Sequence, residues 1–102
     1  PHPDYYLSEH PQARDVLLLI EVSDSTVAFD RKIKVPLYAR HGVPEVWLVV
    51  GPQHRHIEVY RDPQPETGSY QTRLRLRQGR LTPVLLPEVE IRLNEVFIGA
   101  AP

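Results

Sequence analysis

Apolar residues cluster early in the chain. Residues 16–20 form an unbroken apolar run, and Val22 extends it past a single acidic residue, Glu21. A run that is apolar at odd and even positions alike predicts a strand covered on both faces, here over 15–23. Asp24-Ser25-Thr26 then offers turn and N-cap chemistry. A short helix is predicted over about 31–41, with Ile33, Leu37 and Val43 as its core-facing candidates. Pro36 is compatible with the first helical turn, where a missing N–H costs nothing, or with a kink. Gly42 is a natural stop, and Pro44 lies just beyond it.

The remainder is patterned for strands. Residues 46–50 (VWLVV) form a second apolar run. The alternation in 56–61 puts Ile57, Val59 and Arg61 on one face. A loop is expected over 63–69, and another alternating segment over 70–76. Residues 80–86 are predicted as a strand interrupted by Pro83, and 89–93 as a last edge strand. Asn94 is positioned to cap a short helix reaching Ile98. Residues 1–14, polar and punctuated by proline, read as a loop or arm. The order, a strand, a helix and then a meander of strands, implies an α/β to α+β core in one domain spanning 1–102.

Composition narrows the function classes. The chain has 102 residues, which fits one small domain of modest stability. A net charge of -1 provides no global field for nucleic acid, so any such contact must be local. Cysteine is absent, which excludes disulfides and thiolate metal sites and fits a reducing cytoplasm. No apolar run is long enough to cross a membrane, and no signal-peptide pattern opens the chain.

Glu21 is the anomaly of the first strand. An ionised carboxylate inside an apolar strand is costly unless a cation compensates it. It would act as a metal ligand at a sheet end, or would pair with a lysine where the sheet opens to solvent. By alternation it shares a face with Asp15, Leu17, Leu19 and Ser23. Lys34 follows on the next element, where an ammonium could stabilise developing phosphorane charge. Asp30 and Lys34 also form an ordinary i, i+4 pair. Lys32 is the competing lysine, on a different face. Glu45, opening the second strand, could serve as a supporting or extra carboxylate, or simply tie the preceding turn to the strand. Trp47 and Tyr38 read as core. His54-Arg55-His56 reads as a solvated hairpin tip. Arg73, Arg75, Arg77 and Arg80 form a basic edge that could touch phosphates or guard the sheet against aggregation.

Glu21-Val22-Ser23, Ser25-Thr26, Asp30, Lys34, Tyr38-Ala39, Gly42-Val43-Pro44-Glu45 and Trp47 together resemble the Uma-two family of restriction-endonuclease-like proteins in the PD-(D/E)XK superfamily. The segment 58–63, Tyr70 and the close at Phe97 extend the likeness over nearly all of the chain from about residue 5. The resemblance implies a PD-(D/E)XK core, a mixed β-sheet flanked by helices. It also implies metal-dependent endonuclease chemistry on DNA, with Mg²⁺ or Mn²⁺ held by carboxylates. Glu21 and Lys34 match the catalytic glutamate and lysine, with Glu21 a metal ligand and Ser23, Glu45 and Tyr38 as supporting candidates.

Two departures from the superfamily pattern stand out. Ser23 occupies the usual E-x-K lysine position, so the lysine is expected to have moved to the helix, at Lys34. The Pro-Asp strand that would supply the first metal ligand is expected upstream of Pro1, because Asp15, six residues from Glu21, would lie roughly 20 Å away on a strand. The chain is therefore expected to be the C-terminal part of a nuclease-like domain. The resemblance also implies a homodimer. The alternative is a catalytically inactive nuclease-fold module that binds nucleic acid or protein.

Overall fold

The computed structural model describes residues 15–51 and 55–97. Strands β1 (Leu19–Ser23), β2 (Glu45–Val50), β3 (His56–Gln64) and β4 (Ser69–Leu76) form one sheet in sequence order. β1 runs parallel to β2, with Glu21 beside Leu48, and the other two pairings are antiparallel. The parallel step requires a crossover, and a helical segment provides it. It comprises α1 (Val27–Phe29), a π-helical turn (Asp30–Lys34) and α2 (Val35–Arg40). A separate two-stranded ribbon joins β5 (Arg80–Leu81) to β6 (Ile91–Arg92), and α3 (Leu93–Val96) follows. This is the α+β class, with a mixed sheet, that the sequence implies.

Two apolar clusters hold the layers. On one face of the sheet, Val46, Leu48, Val50 and Tyr60 pack with Val35 of α2 and with Val43. On the other, Trp47, Ile57 and Val59 pack with Leu81 and Leu93 of the ribbon side. The middle strands are thus covered twice, which is why β2 is apolar at every position after Glu45.

Several boundaries differ from expectation. β1 starts at Leu19, so Asp15 is not part of the strand and does not share Glu21's face. The helical segment begins at Val27, four residues early. Thr26 occupies its N-cap position but makes no side-chain cap bond. Ile33 and Leu37 are about half exposed, and Asp30, Val35 and Ala39 are buried in their place. The polar side chains of β1 explain this rotation. Ser23 and Glu21 face the helix and draw Asp30, Lys34 and Tyr38 inward, which turns Ile33 and Leu37 outward.

Pro36 lies just after the π turn. Its ring would crowd the carbonyl four residues back in a regular α-helix, and the wider turn, closed by Val35 N–H on the Asp30 carbonyl, relieves that crowding. Gly42, at φ +76, ends α2 as expected.

β3 continues to Gln64, which shortens the expected 63–69 loop to a turn. Gly68 stands in that turn at φ +67, and Arg40 passes so close that a Cβ would lie 2.7 Å from its Nε. The expected strands over 80–86 and 89–93 shrink to the two-residue β5 and β6, because Pro83 cannot donate to a ladder and Glu45 captures the next N–H. α3 starts at Leu93 with Arg92 at the cap position, so Asn94 is not its cap. The 1–14 arm, the turn at 52–54 and Ile98 lie outside the described residues.

Candidate functional site

Glu21 and Lys34 are 13 positions apart in sequence and meet in space. Glu21 sits mid-β1 with its side chain on the helix-facing side, and Lys34 closes the π turn above it. The Lys34 ammonium lies 3.6 Å from Glu21 Oε1 and 3.5 Å from Asp30 Oδ1. The Tyr38 hydroxyl donates to Glu21 Oε2 at 2.8 Å. Asp30, Lys34 and Tyr38 recur every four residues, so one helix face carries all three toward β1.

Asp30 is the hub beneath them. Only 2% of its surface is exposed. Its Oδ2 accepts from Ser23 Oγ at 2.7 Å and from Thr26 Oγ1 at 3.0 Å. The Ser23 hydrogen bond, joined by those of Thr26 and Lys34, outweighs burial and holds the Asp30 carboxyl below the usual range. Ser23 therefore anchors the helix that carries Lys34. Asp30 is the residue that sequence reasoning undervalued. Its i, i+4 spacing to Lys34 was visible, but its burial depends on Ser23 and Thr26 converging from β1 and the turn.

Tyr38 has a mixed role. Its ring packs against the apolar cluster, as expected of a core residue, and its hydroxyl reaches the site. Burial first, then the Glu21 hydrogen bond, pushes its hydroxyl up to about 12, so it is a neutral donor near pH 7. Glu21 keeps a quarter of its side chain exposed and Lys34 39%. The pair is open to a ligand.

Glu45 is not part of this group. It shares a sheet face with Trp47 and Arg61, opposite the face that bears Glu21. Its Oε2 accepts from Trp47 Nε1 at 2.7 Å and Arg61 Nε at 2.9 Å, and its Oε1 accepts from Val84 N at 2.8 Å. Arg61 reaches on to the Thr82 carbonyl at 2.9 Å. Glu45 pins the segment after β5 to the sheet.

A second buried carboxylate lies on the Glu21 face. Glu58 is fully buried and accepts from Arg31 through both oxygens, from Tyr60 at 2.5 Å, and pairs with His56 Nε2 at 3.0 Å. Burial alone would raise its carboxyl; these bonds, Arg31 foremost, outweigh that and hold it at about 2. His56 is therefore a buried network residue, not part of a solvated tip, while His54 lies outside the described residues. Arg31 belongs to the π turn, so Glu58 fixes that turn from below.

A divalent cation of the Mg²⁺ kind takes hard oxygen ligands, commonly one or two carboxylates with waters completing the shell. Glu21 fits one such position, being ionisable, partly open and oriented by Tyr38. Asp30 is enclosed, with two hydroxyls on one oxygen. Among the described residues no group of three or more His, Asp or Glu side chains is arranged to hold a metal.

The mixed sheet with its crossover helix is consistent with a restriction-endonuclease-like fold. The Uma2 family model, described as "Putative restriction endonuclease", matches residues 2–94, and the chain belongs to that family. No curated protein matches it. Among the described residues no helix is long and apolar enough to cross a membrane.

Proposed function

We propose that the protein is a metal-dependent endonuclease that hydrolyses phosphodiester bonds in DNA, with Glu21 and Lys34 as its catalytic residues. The observation that carries this reading is the 3.6 Å approach of Lys34 to Glu21 at an open edge of the helix–sheet interface. Family membership supports the reaction class. Glu21 would hold Mg²⁺ or Mn²⁺ as one carboxylate ligand, with waters in the remaining positions. The ion, when bound, supplies Lewis acidity and lowers the pKa of a coordinated water.

The chain's own residues have separate tasks. Tyr38 fixes one oxygen of Glu21 by hydrogen bond. Asp30 holds the Lys34 ammonium beside Glu21, where negative charge would develop on the phosphorus oxygens. Ser23 and Thr26 hold Asp30.

The test is cleavage of supercoiled plasmid with Mg²⁺ or Mn²⁺ by the full-length protein, beside its Glu21→Ala and Lys34→Ala variants. Metal-dependent nicking that is lost in both folded variants is expected. Full activity in either would remove that residue from the site.

The second reading is a catalytically inactive nuclease-fold module that binds nucleic acid or protein. Both Glu21 oxygens already have protein partners, which favours it. Absence of nicking with either metal, alongside salt-sensitive DNA binding, would select it.

A further inference from the structure

β4 forms one edge of the sheet, and the stretch 69–77 contains three arginines and no acidic residue. In a chain of net charge -1 this is a concentrated positive edge. Arg73 and Arg75 pair with Tyr60 and Glu58 of β3, so both stand on the face that carries the candidate site. Glu58 is the nearest cross-strand carboxylate for Arg75, but it is fully buried and committed to Arg31. Arg73 lies over the Tyr60 ring, 5.8 Å from its centroid, which orients the guanidinium without neutralising it. Both arginines are exposed, and neither has a salt-bridge partner among the described residues.

Glu21, Leu48, Glu58 and Arg75 form one transverse row across the four strands. Three strand spacings place Arg75 about 14 Å from Glu21. Above the row, Lys34 and Arg31 stand three residues apart on the π turn, and a third of the Arg31 side chain is exposed. Positive groups therefore accompany the row from the candidate site to the sheet edge.

We infer that Arg73 and Arg75 form a docking track for the sugar-phosphate backbone of duplex DNA, aligned with the Glu21–Lys34 site and contacting phosphates rather than bases. The inference rests on the nuclease reading for its partner. Guanidinium groups suit phosphate because their planar donor fork matches its oxygens. The competing role for these charges is to guard the edge strand against self-association.

The test is binding of a short duplex to the full-length protein in EDTA, where cleavage cannot contribute, across a salt series. Arg73→Gln/Arg75→Gln is compared with Arg80→Gln/Arg92→Gln, an equal charge change on the ribbon. Loss of two phosphate contacts should lower the slope of log affinity against log salt by about 2 and weaken binding roughly tenfold or more near 0.1 M salt. The ribbon variant should change little.

An unchanged slope in the β4 variant, or equal losses in both variants, would overturn the track even if plasmid cleavage persists. Failure of the parent protein to bind DNA in EDTA would overturn the track, while plasmid nicking with Mg²⁺ or Mn²⁺ would still decide the nuclease reading separately. If the double variant self-associates, Arg75→Gln alone decides the matter, with an expected slope change of about 1.

Discussion

The Ser23 hydroxyl donates to the Asp30 carboxylate at 2.7 Å, which ties the end of β1 to the first residue of the π turn. Through Asp30, this bond sets where Lys34 stands relative to Glu21. A strand residue thus governs the geometry of a lysine on the following helix.

Asp30→Ala should therefore act on both stability and activity. It removes the acceptor of two hydroxyls and one of the two anions beside Lys34, leaving a buried polar pocket unsatisfied. A loss of about 1–3 kcal/mol is expected, together with reduced cleavage in the folded fraction. Asp30→Asn, which keeps an acceptor but not the charge, should recover part of the stability and little of the activity. Urea unfolding beside single-turnover cleavage measures the two effects. An Asp30→Ala protein with unchanged kinetics would show that Lys34 does not need this support.

Lys34→Ala should separate the two effects in the opposite sense. Its side chain is 39% exposed, and ion pairs so open to water contribute about 0–1 kcal/mol. The thermal midpoint should hardly move, while the cleavage rate should fall by roughly 10²–10³, as when one charge-stabilising donor is removed. A rate within a few-fold of the parent would transfer the role to another cation, with Lys32 the first to substitute.

The class of fold was legible in the sequence through local apolar patterns, whereas Lys34 was matched to Glu21 through the family resemblance. The apolar run of β2 marks a doubly covered strand, whereas β1 is covered on its helix face alone, with Ile20 52% and Val22 79% exposed on the other; Glu21 breaks its run conspicuously. The rotation of the helix was not legible. Ile33 and Leu37 have core-like spacing, and only the polar partners supplied by Ser23 and Glu21 reverse it. Glu45 and Glu58 were hidden for a similar reason. Their partners Arg61, Val84 and Arg31 lie 16 to 39 positions away, so no local pattern predicts their burial.

Glu45→Ala should destabilise the protein without entering the chemistry. The change strips a buried acceptor from Trp47, Arg61 and the Val84 N–H, and leaves Arg61 half-buried without its anion. A loss of about 3–5 kcal/mol is expected for breaking such a pair. At a temperature where the variant is fully folded, cleavage should match the parent. A selective loss of metal-dependent cleavage in folded Glu45→Ala would return this residue to the site.

The Glu58 network should dominate acid sensitivity. Its carboxyl is held at about 2 in the folded chain, against 4.5 when unperturbed. A depressed folded value means that the network's contribution is complete above about 4.5 and is lost as pH falls from there toward 2. Asp30, also depressed, adds to the same trend below 3.8. Stability followed by urea unfolding should therefore fall steeply between pH 4.5 and 2. Glu58→Gln should be less stable near neutral pH and show a shallower decline over that window, since one proton-linked group is gone. If the parent and Glu58→Gln declined in parallel, the acid response would have to come from carboxylates other than Glu58, and the Arg31–Glu58 pair would not be what holds the π turn at neutral pH.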